Sequence, residues 1–195
     1  KIAPFLGDLN ASALAMARKF QSEEALVIAL NGLAPHLSDA LQEEALRAAL
    51  QIWDENLRAE ALGSVAPHLP ERLLAIALGK AEQIREADAQ VQALINLAPH
   101  LPGYLLGEVL EAVQRNPDGY TRAQALSGLA PHLPEGLLVE AFLVAQRIED
   151  EEAQSQALSG LAPHLPEALL DKALTLVGEM QAEGIRSQAY SSPLP

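Results

Sequence analysis

The sequence predicts an all-α protein: a right-handed α-solenoid of about six helical hairpins. Three observations lead to this prediction: a six-residue motif recurs every 32 residues, the composition is aliphatic, and no segment alternates like a β-strand. The 195 residues are 49% hydrophobic but only 4% aromatic, so the core must consist of Ala, Leu, Val and Ile. A pair of short helices cannot bury its apolar stripe alone, whereas stacked pairs can, and this favours a solenoid.

The recurring motif is Leu-Ala-Pro-His-Leu-Pro. It occupies residues 97–102, 129–134 and 161–166, with close variants at 33–38 and 65–70 and a degenerate copy at 2–6. We therefore treat the chain as one repeat array with units 3–33, 34–65, 66–97, 98–129, 130–161 and 162–193. Residues 1–6 match the end of a helix whose beginning is missing, so we expect the array to be excerpted from a longer chain.

Each unit is predicted to form two helices. In the unit 130–161 one apolar stripe with helical spacing, here called helix A, comprises Leu137, Leu138, Ala141, Phe142, Ala145 and Ile148. A second stripe, helix B, comprises Ala153, Ala157, Leu158, Leu161 and Leu165. Pro163 is expected to lie inside the last turn of helix B and to kink it toward the next helix A.

Helix N-termini account for most of the 26 acidic residues. The first-turn position of helix A carries Asp8, Asp39, Glu71, Glu135 and Glu167, and twelve more acidic residues cluster around the starts of helices B. Negative charge is favourable at both places, and Ser22, Asp54, Asp118 and Asp150 are predicted N-caps. This placement predicts two acidic edges that disfavour acidic partners, and it gives no sign of a catalytic carboxylate pair or of a calcium loop.

All five histidines share one position of the repeat, directly after the motif proline. The proline and histidine of each copy of this structural motif are Pro35, His36, Pro67, His68, Pro99, His100, Pro131, His132, Pro163 and His164. Equivalent residues of stacked repeats lie ~10 Å apart, too far to share one metal ion. We therefore expect each histidine to cap the C-terminal end of helix B, and we expect no metal and no cofactor.

Two polar positions on helix B form the candidate partner-binding ladder. The first holds Arg58, Gln90, Arg122, Gln154 and Arg186, and the second holds Glu60, Gln92, Gln124, Gln156 and Gln188. A polar position repeated along a solenoid makes an extended surface of the kind that such proteins use to bind partners. An equally good interpretation is that these side chains bond neighbouring repeats together and fix their stacking.

The 32-residue unit resembles the helical-hairpin repeat families of the HEAT and tetratricopeptide-like class, and the resemblance covers essentially the whole chain. It is most similar to the tandem arrays with Leu-Ala-Pro-His-Leu-Pro motifs that are attached to large bacterial and cyanobacterial multidomain signalling proteins, among them nucleotide-switch ATPases. This resemblance implies a sensor or docking surface within a larger protein. No phosphate-binding GxxxxGK[ST] motif occurs in the chain itself.

These patterns predict a non-catalytic module that binds a protein or peptide, and they disfavour several other functions. The net charge of −13 has the wrong sign for nucleic acid, and no apolar run is long enough to span a membrane. With no leader visible we expect a cytoplasmic location, and uncapped array ends would favour end-to-end self-association. The alternatives are a structural spacer between flanking domains or, less favoured, an enzyme on a helical-repeat scaffold. The aromatic residues Phe20, Trp53, Tyr104, Tyr120 and Phe142 are scattered over the repeat and are interpreted as core or edge residues.

Overall fold

Every regular element in the described part of the chain is helical. A computed structural model describes residues 3–19 and 22–191, and the side chains of residues 9–19 and 22–179. Within these ranges eleven α-helices follow one another: α1 (Ala3–Ala17), α2 (Glu23–Leu33), α3 (Asp39–Leu50), α4 (Glu55–Val65), α5 (Glu71–Ala81), α6 (Ala87–Leu97), α7 (Gly103–Arg115), α8 (Gly119–Leu129), α9 (Glu135–Ala145), α10 (Glu151–Leu161) and α11 (Glu167–Ser191). The prediction of an all-α, solenoid-like series of helix pairs is confirmed.

The helices alternate in the two roles that the sequence predicts. The odd-numbered helices from α1 to α9 are helices A, and the even-numbered helices are helices B. A short 3₁₀ turn follows each helix B and contains the Ala-Pro-His part of the repeated motif: Ala34–His36, Ala66–His68, Ala98–His100, Ala130–His132 and Ala162–His164. The motif is therefore the connection from one repeat to the next.

The predicted N-caps of helices B are confirmed. In each case a side-chain oxygen accepts the backbone N–H three residues further on: Ser22 from Ala25 at 3.1 Å, Asp54 from Leu57 at 2.9 Å, Asp118 from Thr121 at 2.7 Å and Asp150 from Ala153 at 2.9 Å. Helix α1 begins at Ala3 and has no acidic residue in its first turn, so the prediction for Asp8, which lies in the second turn, is wrong. The first residues of α3, α5, α9 and α11 are acidic, as predicted. Carboxylates at these places are stabilised by the unpaired N–H groups of the first turn.

The motif prolines lie in the 3₁₀ turns and not inside the last turn of helix B, which corrects the prediction of a kinked helix. In the first repeat α2 ends at Leu33, and Ala34 still donates its N–H to the carbonyl of Leu30. Pro35 has no N–H to continue this series, and the backbone tightens so that Leu37 donates to the carbonyl of Ala34 at 3.4 Å. Leu37 is then extended, with φ −82° and ψ 139°, and leads into the next helix A.

Leucine and alanine side chains of helices B form the centre of the core. One repeat position holds leucines that are at most 1% exposed: Leu30, Leu62, Leu94, Leu126 and Leu158. The position before it holds alanines that are fully buried: Ala61, Ala93, Ala125 and Ala157. The predicted stripes of the unit 130–161 are buried except for Leu137, which is half-buried. The small alanines allow neighbouring helices to approach closely while the leucines fill the space between them.

The described helices pack within two compact units, residues 1–105 and 106–195. In the first unit α2, α4 and α6 pack against one another in succession, α3 packs on α4, and α5 packs on α6. In the second unit α8 packs against α10, α9 contacts both, and α11 packs against α10. Within each unit, neighbouring repeats are therefore joined mainly through their helices B.

Both ends depart from the predicted pattern of two helices per unit. The degenerate motif copy at residues 2–6 does not form a separate turn, because α1 begins at Ala3 and includes Pro4 in its first turn, where a missing N–H is tolerated. At the other end α11 runs without a break for 25 residues, where the period predicts a hairpin. The sequence has Ala182 at the position that holds Ser22, Asp54, Asp118 or Asp150 in other repeats, so no side-chain cap is present to start a second helix.

Candidate partner-binding surfaces

The first position of the candidate ladder bonds to the loop between helices A and B of its own repeat. Its four described members are half-buried, and each donates to a loop or helix-end carbonyl: Arg58 to Trp53 at 3.4 Å, Gln90 to Glu82 at 2.8 Å and Ile84 at 3.2 Å, Arg122 to Asn116 at 2.6 Å, and Gln154 to Gln146 at 2.7 Å. Both Arg and Gln can make this hydrogen bond because each carries an N–H donor at the end of a long side chain. These contacts give the position a structural role within the hairpin.

The second position of the ladder is exposed. Its described members on α4, α6, α8 and α10 form a set that we call the exposed row: Glu60, Gln92, Gln124 and Gln156. Gln92 donates to Asn96 one turn further along the same helix, at 2.8 Å, and not to a neighbouring repeat. The first repeat has Ile28 at this position, 73% exposed, which extends the row with an apolar residue. The side chains of Arg186 and Gln188 lie outside the described residues.

Neighbouring helices B approach closely where a glycine of one helix faces a polar side chain of the next: Gly63 faces Asn96, and Gly160 faces Ser127. A Cβ added to Gly63 would lie 2.9 Å from the Cβ of Asn96, and Asn96 donates to the carbonyl of Ala59 at 3.3 Å. In the second unit Ser127 donates to the carbonyl of its own helix at Ala123, at 2.8 Å, and lies against Gly160. Small residues at these positions thus set the distance between neighbouring helices B.

Two glutamates link the start of one helix B to the start of the next. Glu23 accepts the backbone N–H groups of Trp53 and Asp54, at 2.6 and 3.0 Å. Glu55, one repeat later, accepts those of Arg85 and Glu86, at 3.0 and 2.6 Å. The N–H of Glu86 and, to a smaller extent, that of Arg85 hold the pKa of Glu55 below its ordinary value. These first-turn acids therefore join repeats as well as favouring helix starts.

The same link is absent by sequence in the third repeat, where Ala87 occupies the position of Glu23 and Glu55. The residues equivalent to the two donors are Pro117, which has no N–H, and Asp118, whose N–H is accepted by Asn116 at 2.9 Å. The acceptor and one of the two donors are therefore missing, and the remaining N–H, that of Asp118, is satisfied within its own loop. The Asn-Pro-Asp-Gly turn thus supplies within one loop what the glutamate supplies elsewhere between repeats.

The motif histidines are the last residues of the five 3₁₀ turns. No group of three or more His, Asp or Glu side chains in the described part of the chain is placed to hold a metal ion. The capping role of the histidines stays a prediction. Among the tyrosines, Tyr120 donates to Glu152 at 3.2 Å, and desolvation together with the neighbouring Asp150 and Glu152 carboxylates raises the pKa of Tyr120 to about 12.

Trp53 is the one tryptophan of the sequence, and its side chain is 89% exposed. It lies in the loop between α3 and α4, directly after the buried Ile52, and lines a groove of about 670 Å³. The groove, which we call the Trp53 groove, is lined by Arg18, Ser22, Glu23, Leu26, Ala48, Leu50, Gln51, Ile52, Trp53 and Arg58. Sequence reasoning treated Trp53 as a core or edge residue, because the equivalent loop positions hold Arg85, Pro117 and Glu149 and reveal no pattern.

These features define the class: a tandem helical-hairpin repeat protein in which helices B pack against one another within each unit. Comparison with protein-family models, with curated proteins and with solved structures gives no match. The helical repeat is therefore established by the chain's own period and packing, and the closer resemblance to HEAT, tetratricopeptide-like or motif-bearing bacterial arrays is not shown. Within the described residues no helix has both the length and the apolar character that a membrane span requires.

Proposed function

We propose that this chain is a non-catalytic binding module for a protein or peptide, acting as a scaffold or sensor surface in a larger protein. The observation that carries the proposal is the exposed row. Glu60, Gln92, Gln124 and Gln156 recur at one position of the repeat and are all exposed, while the position two residues earlier is held by loop contacts. The two ladder positions thus have different environments, and the exposed one is free to meet a partner.

The physical argument is that recurring amide side chains offer both hydrogen-bond donors and acceptors to an extended backbone. Repeat proteins commonly bind along such extended surfaces, where each repeat adds a small contribution. The net charge of −13 adds a long-range preference for partners that are not acidic. In this proposal the partner is recognised by helices B, and no side chain has a catalytic role.

The test is an affinity capture from lysate of the source organism with three baits. The first bait is the wild-type chain, and the second carries Gln92, Gln124 and Gln156 changed to Glu. The third is a charge-matched control that carries Glu at Gln83, Gln114 and Gln146, which are exposed residues of helix A ends and loops. Circular dichroism confirms that all three baits are folded to the same extent.

A partner captured by the wild type and the control, but not by the second bait, supports binding through the exposed row. Equal capture by all three baits contradicts the row as the recognition surface. If no bait captures a partner, the proposal of a binding module fails and the structural spacer is the better interpretation. A spacer further requires that deletion of one whole 32-residue unit alters the activity of the parent protein while row substitutions do not.

A further inference from the structure

The side of α10 that faces the position of a further helix B is uncovered in the described part of the chain. In earlier repeats the residues on this side of helix B are covered by the next helix B, and Ala59 and Ala123 are fully buried. The equivalent residue of α10, Ser155, is half-buried, and Ser159, one turn further on, is exposed. Ala162 is half-buried as well, whereas the motif alanines of the four earlier copies are at most 2% exposed.

The first part of α11 is uncovered on its apolar side. Leu174 is 57% exposed. The equivalent residues of the four preceding helices A are at most 2% exposed: Leu46, Leu78, Leu110 and Phe142. Val177 is half-buried, although Val113 at the equivalent position is buried. The uncovered surfaces of α10 and α11 together form what we call the open slot: Ser155, Ser159, Ala162, Leu174 and Val177.

Residues 183–191 have the sequence pattern of a helix B, but they continue α11 instead of folding back. They repeat the Ser-Gln-Ala sequence of α10 at positions 187–189. Ile185 and Tyr190 stand at the repeat positions that Ala153 and Leu158 fill in the core of the preceding unit. Because α11 is continuous for 25 residues, its second part cannot lie beside its first, and it does not reach the open slot of its own chain.

The residues at the position of the loop between helices A and B favour the straight form of α11. Positions 180–183 hold Met, Gln, Ala and Glu, which are all good helix formers. Ala182 lacks the side-chain oxygen with which Asp150 caps the start of α10. A break in α11 at this point would leave backbone N–H groups without a side-chain acceptor. The hairpin that would fill the open slot from within the chain is therefore disfavoured.

We infer that the open slot binds residues 183–191 of a second copy of this chain, so that two copies exchange this segment in a two-fold symmetric dimer. Two antiparallel copies of α11 that pair about its middle residue, Glu179, place residues 183–191 of one copy beside residues 167–175 of the other. Each copy thus supplies the helix B that the other lacks, and such an exchange of identical elements is a low-cost route to dimers. The dimer is closed, unlike end-to-end association, which continues into longer assemblies. This inference goes beyond the proposed function and uses none of the four exposed-row residues.

The experiment is disulfide cross-linking, which the chain suits because it has no cysteine of its own. Successive helices B contact each other at positions 33 residues apart, as Gly63 with Asn96 and Ser127 with Gly160 show. The next pair of this series is 159 and 192, of which position 192 lies outside the described residues. The variants Ser159→Cys and Ser192→Cys, one of them tagged, are unfolded together, refolded as a mixture and oxidised. A disulfide needs the two Cβ atoms within about 4.5 Å, so it forms between the variants only if the segment of one copy lies in the slot of the other.

We expect disulfide-linked heterodimers in the mixture and none with either variant alone. Light scattering of the unmodified chain should give a mass approaching twice 20.8 kDa, which falls on dilution. The double variant Gly63→Cys/Asn96→Cys is the positive control for oxidation. Its disulfide should form within one chain, because a Cβ on Gly63 lies 2.9 Å from the Cβ of Asn96.

Two substitutions test the slot and the straight helix separately. Leu174→Glu places a charge in the open slot and should abolish the dimer, whereas the matched control Leu143→Glu, at a residue 46% exposed on α9, should keep it. Ala182→Asp supplies the missing cap, favours the hairpin and should raise the dissociation constant of the dimer at least about fivefold. Circular dichroism of each variant shows whether it is folded.

Several results would overturn the inference. A mass of 20.8 kDa at every concentration would exclude the dimer. A dimer that forms no heterodimeric disulfide, while the positive control is oxidised, would have its interface elsewhere. The double variant Ser159→Cys/Ser192→Cys gives a further test: a disulfide within one chain would show that residues 183–191 fold back onto their own slot. A dimer that survives Leu174→Glu would likewise contradict binding in the open slot.

Discussion

Ser127 and Gly160 lie so close together that any side chain at position 160 would collide with Ser127. A Cβ on Gly160 would stand 2.9 Å from the Cα of Ser127 and closer still to its side chain. The Ser127 hydroxyl is also 3.5 Å from the carbonyl of Gln156 on the same neighbouring helix. This contact between α8 and α10 sets the spacing of the two repeats, since main chain cannot move aside as a flexible side chain can.

Gly160→Ala should therefore destabilise the chain by about 1–3 kcal/mol, because overpacking at a close helix contact forces the helices apart. Gly32 occupies the same repeat position in α2, but no atom lies within 4 Å of a Cβ placed there. Gly32→Ala should stabilise by roughly 0.5–1 kcal/mol through helix propensity. Urea unfolding of the two variants measures both changes, and a stabilising Gly160→Ala would contradict the contact.

Leu158→Ala should cost about 2–5 kcal/mol in the free energy of unfolding, because Leu158 is fully buried between helices B. Leu143 on α9 is the matched control, since it is 46% exposed. Leu143→Ala should change the stability by less than about 1 kcal/mol. Thermal or denaturant unfolding followed by circular dichroism distinguishes them, and similar costs at both sites would refute the assigned core.

Arg122→Ala should destabilise the fourth repeat by about 1–3 kcal/mol, because it removes the donor to the Asn116 carbonyl at 2.6 Å. Gln124→Ala, two residues away, should have almost no effect on stability, since Gln124 is exposed. The comparison separates the two positions of the ladder: one holds the loop and the other faces solvent. An effect of equal size at both positions would mean that the exposed row is structural too.

Glu55→Gln should lower the stability at pH 7 and have progressively less effect in acid. The folded-state pKa of Glu55 is lowered, chiefly by the N–H of Glu86, from an ordinary value of 4.5. The stabilisation is therefore fully present above about pH 4.5 and is lost as the pH falls through the lowered pKa. Urea midpoints from pH 7 down to about pH 3 should converge for the variant and the wild type. A difference that stays constant over this range would show that the charge of Glu55 does not contribute.

Much of the fold can be predicted because the information is repeated along the chain. The period assigns helix pairs, the caps Ser22, Asp54 and Asp118 fix their starts, and the leucine positions identify the core. The helix pattern, the caps and the core positions each depend on residues within one or two helical turns in the sequence. The prediction for the proline is wrong because periodicity cannot distinguish the last turn of an α-helix from a 3₁₀ turn. The missing cap at Ala182 does not reveal the uninterrupted α11, because an absent cap is a weaker signal than one that is present.

The candidate site could be predicted only in part. The ladder was found by its recurrence, but sequence spacing could not tell that Gln90 points to its own loop while Gln92 is exposed, because the two are only two residues apart. The Trp53 groove was missed for the opposite reason: it occurs once. A feature that occurs in one repeat leaves no periodic signal in the sequence.

The glutamate links have a consequence for how the chain folds. Glu23 and Glu55 each reach donors 30 and 31 residues further on, so each link closes a loop of about one repeat. Because the two loops have the same length, closing each one costs the same conformational entropy. No link of this kind requires distant parts of the chain to meet. Nucleation can begin at any neighbouring pair of hairpins and spread in both directions. Spreading should be slowest at the third and fourth repeats, where Ala87 and Gly119 stand in place of the linking glutamate.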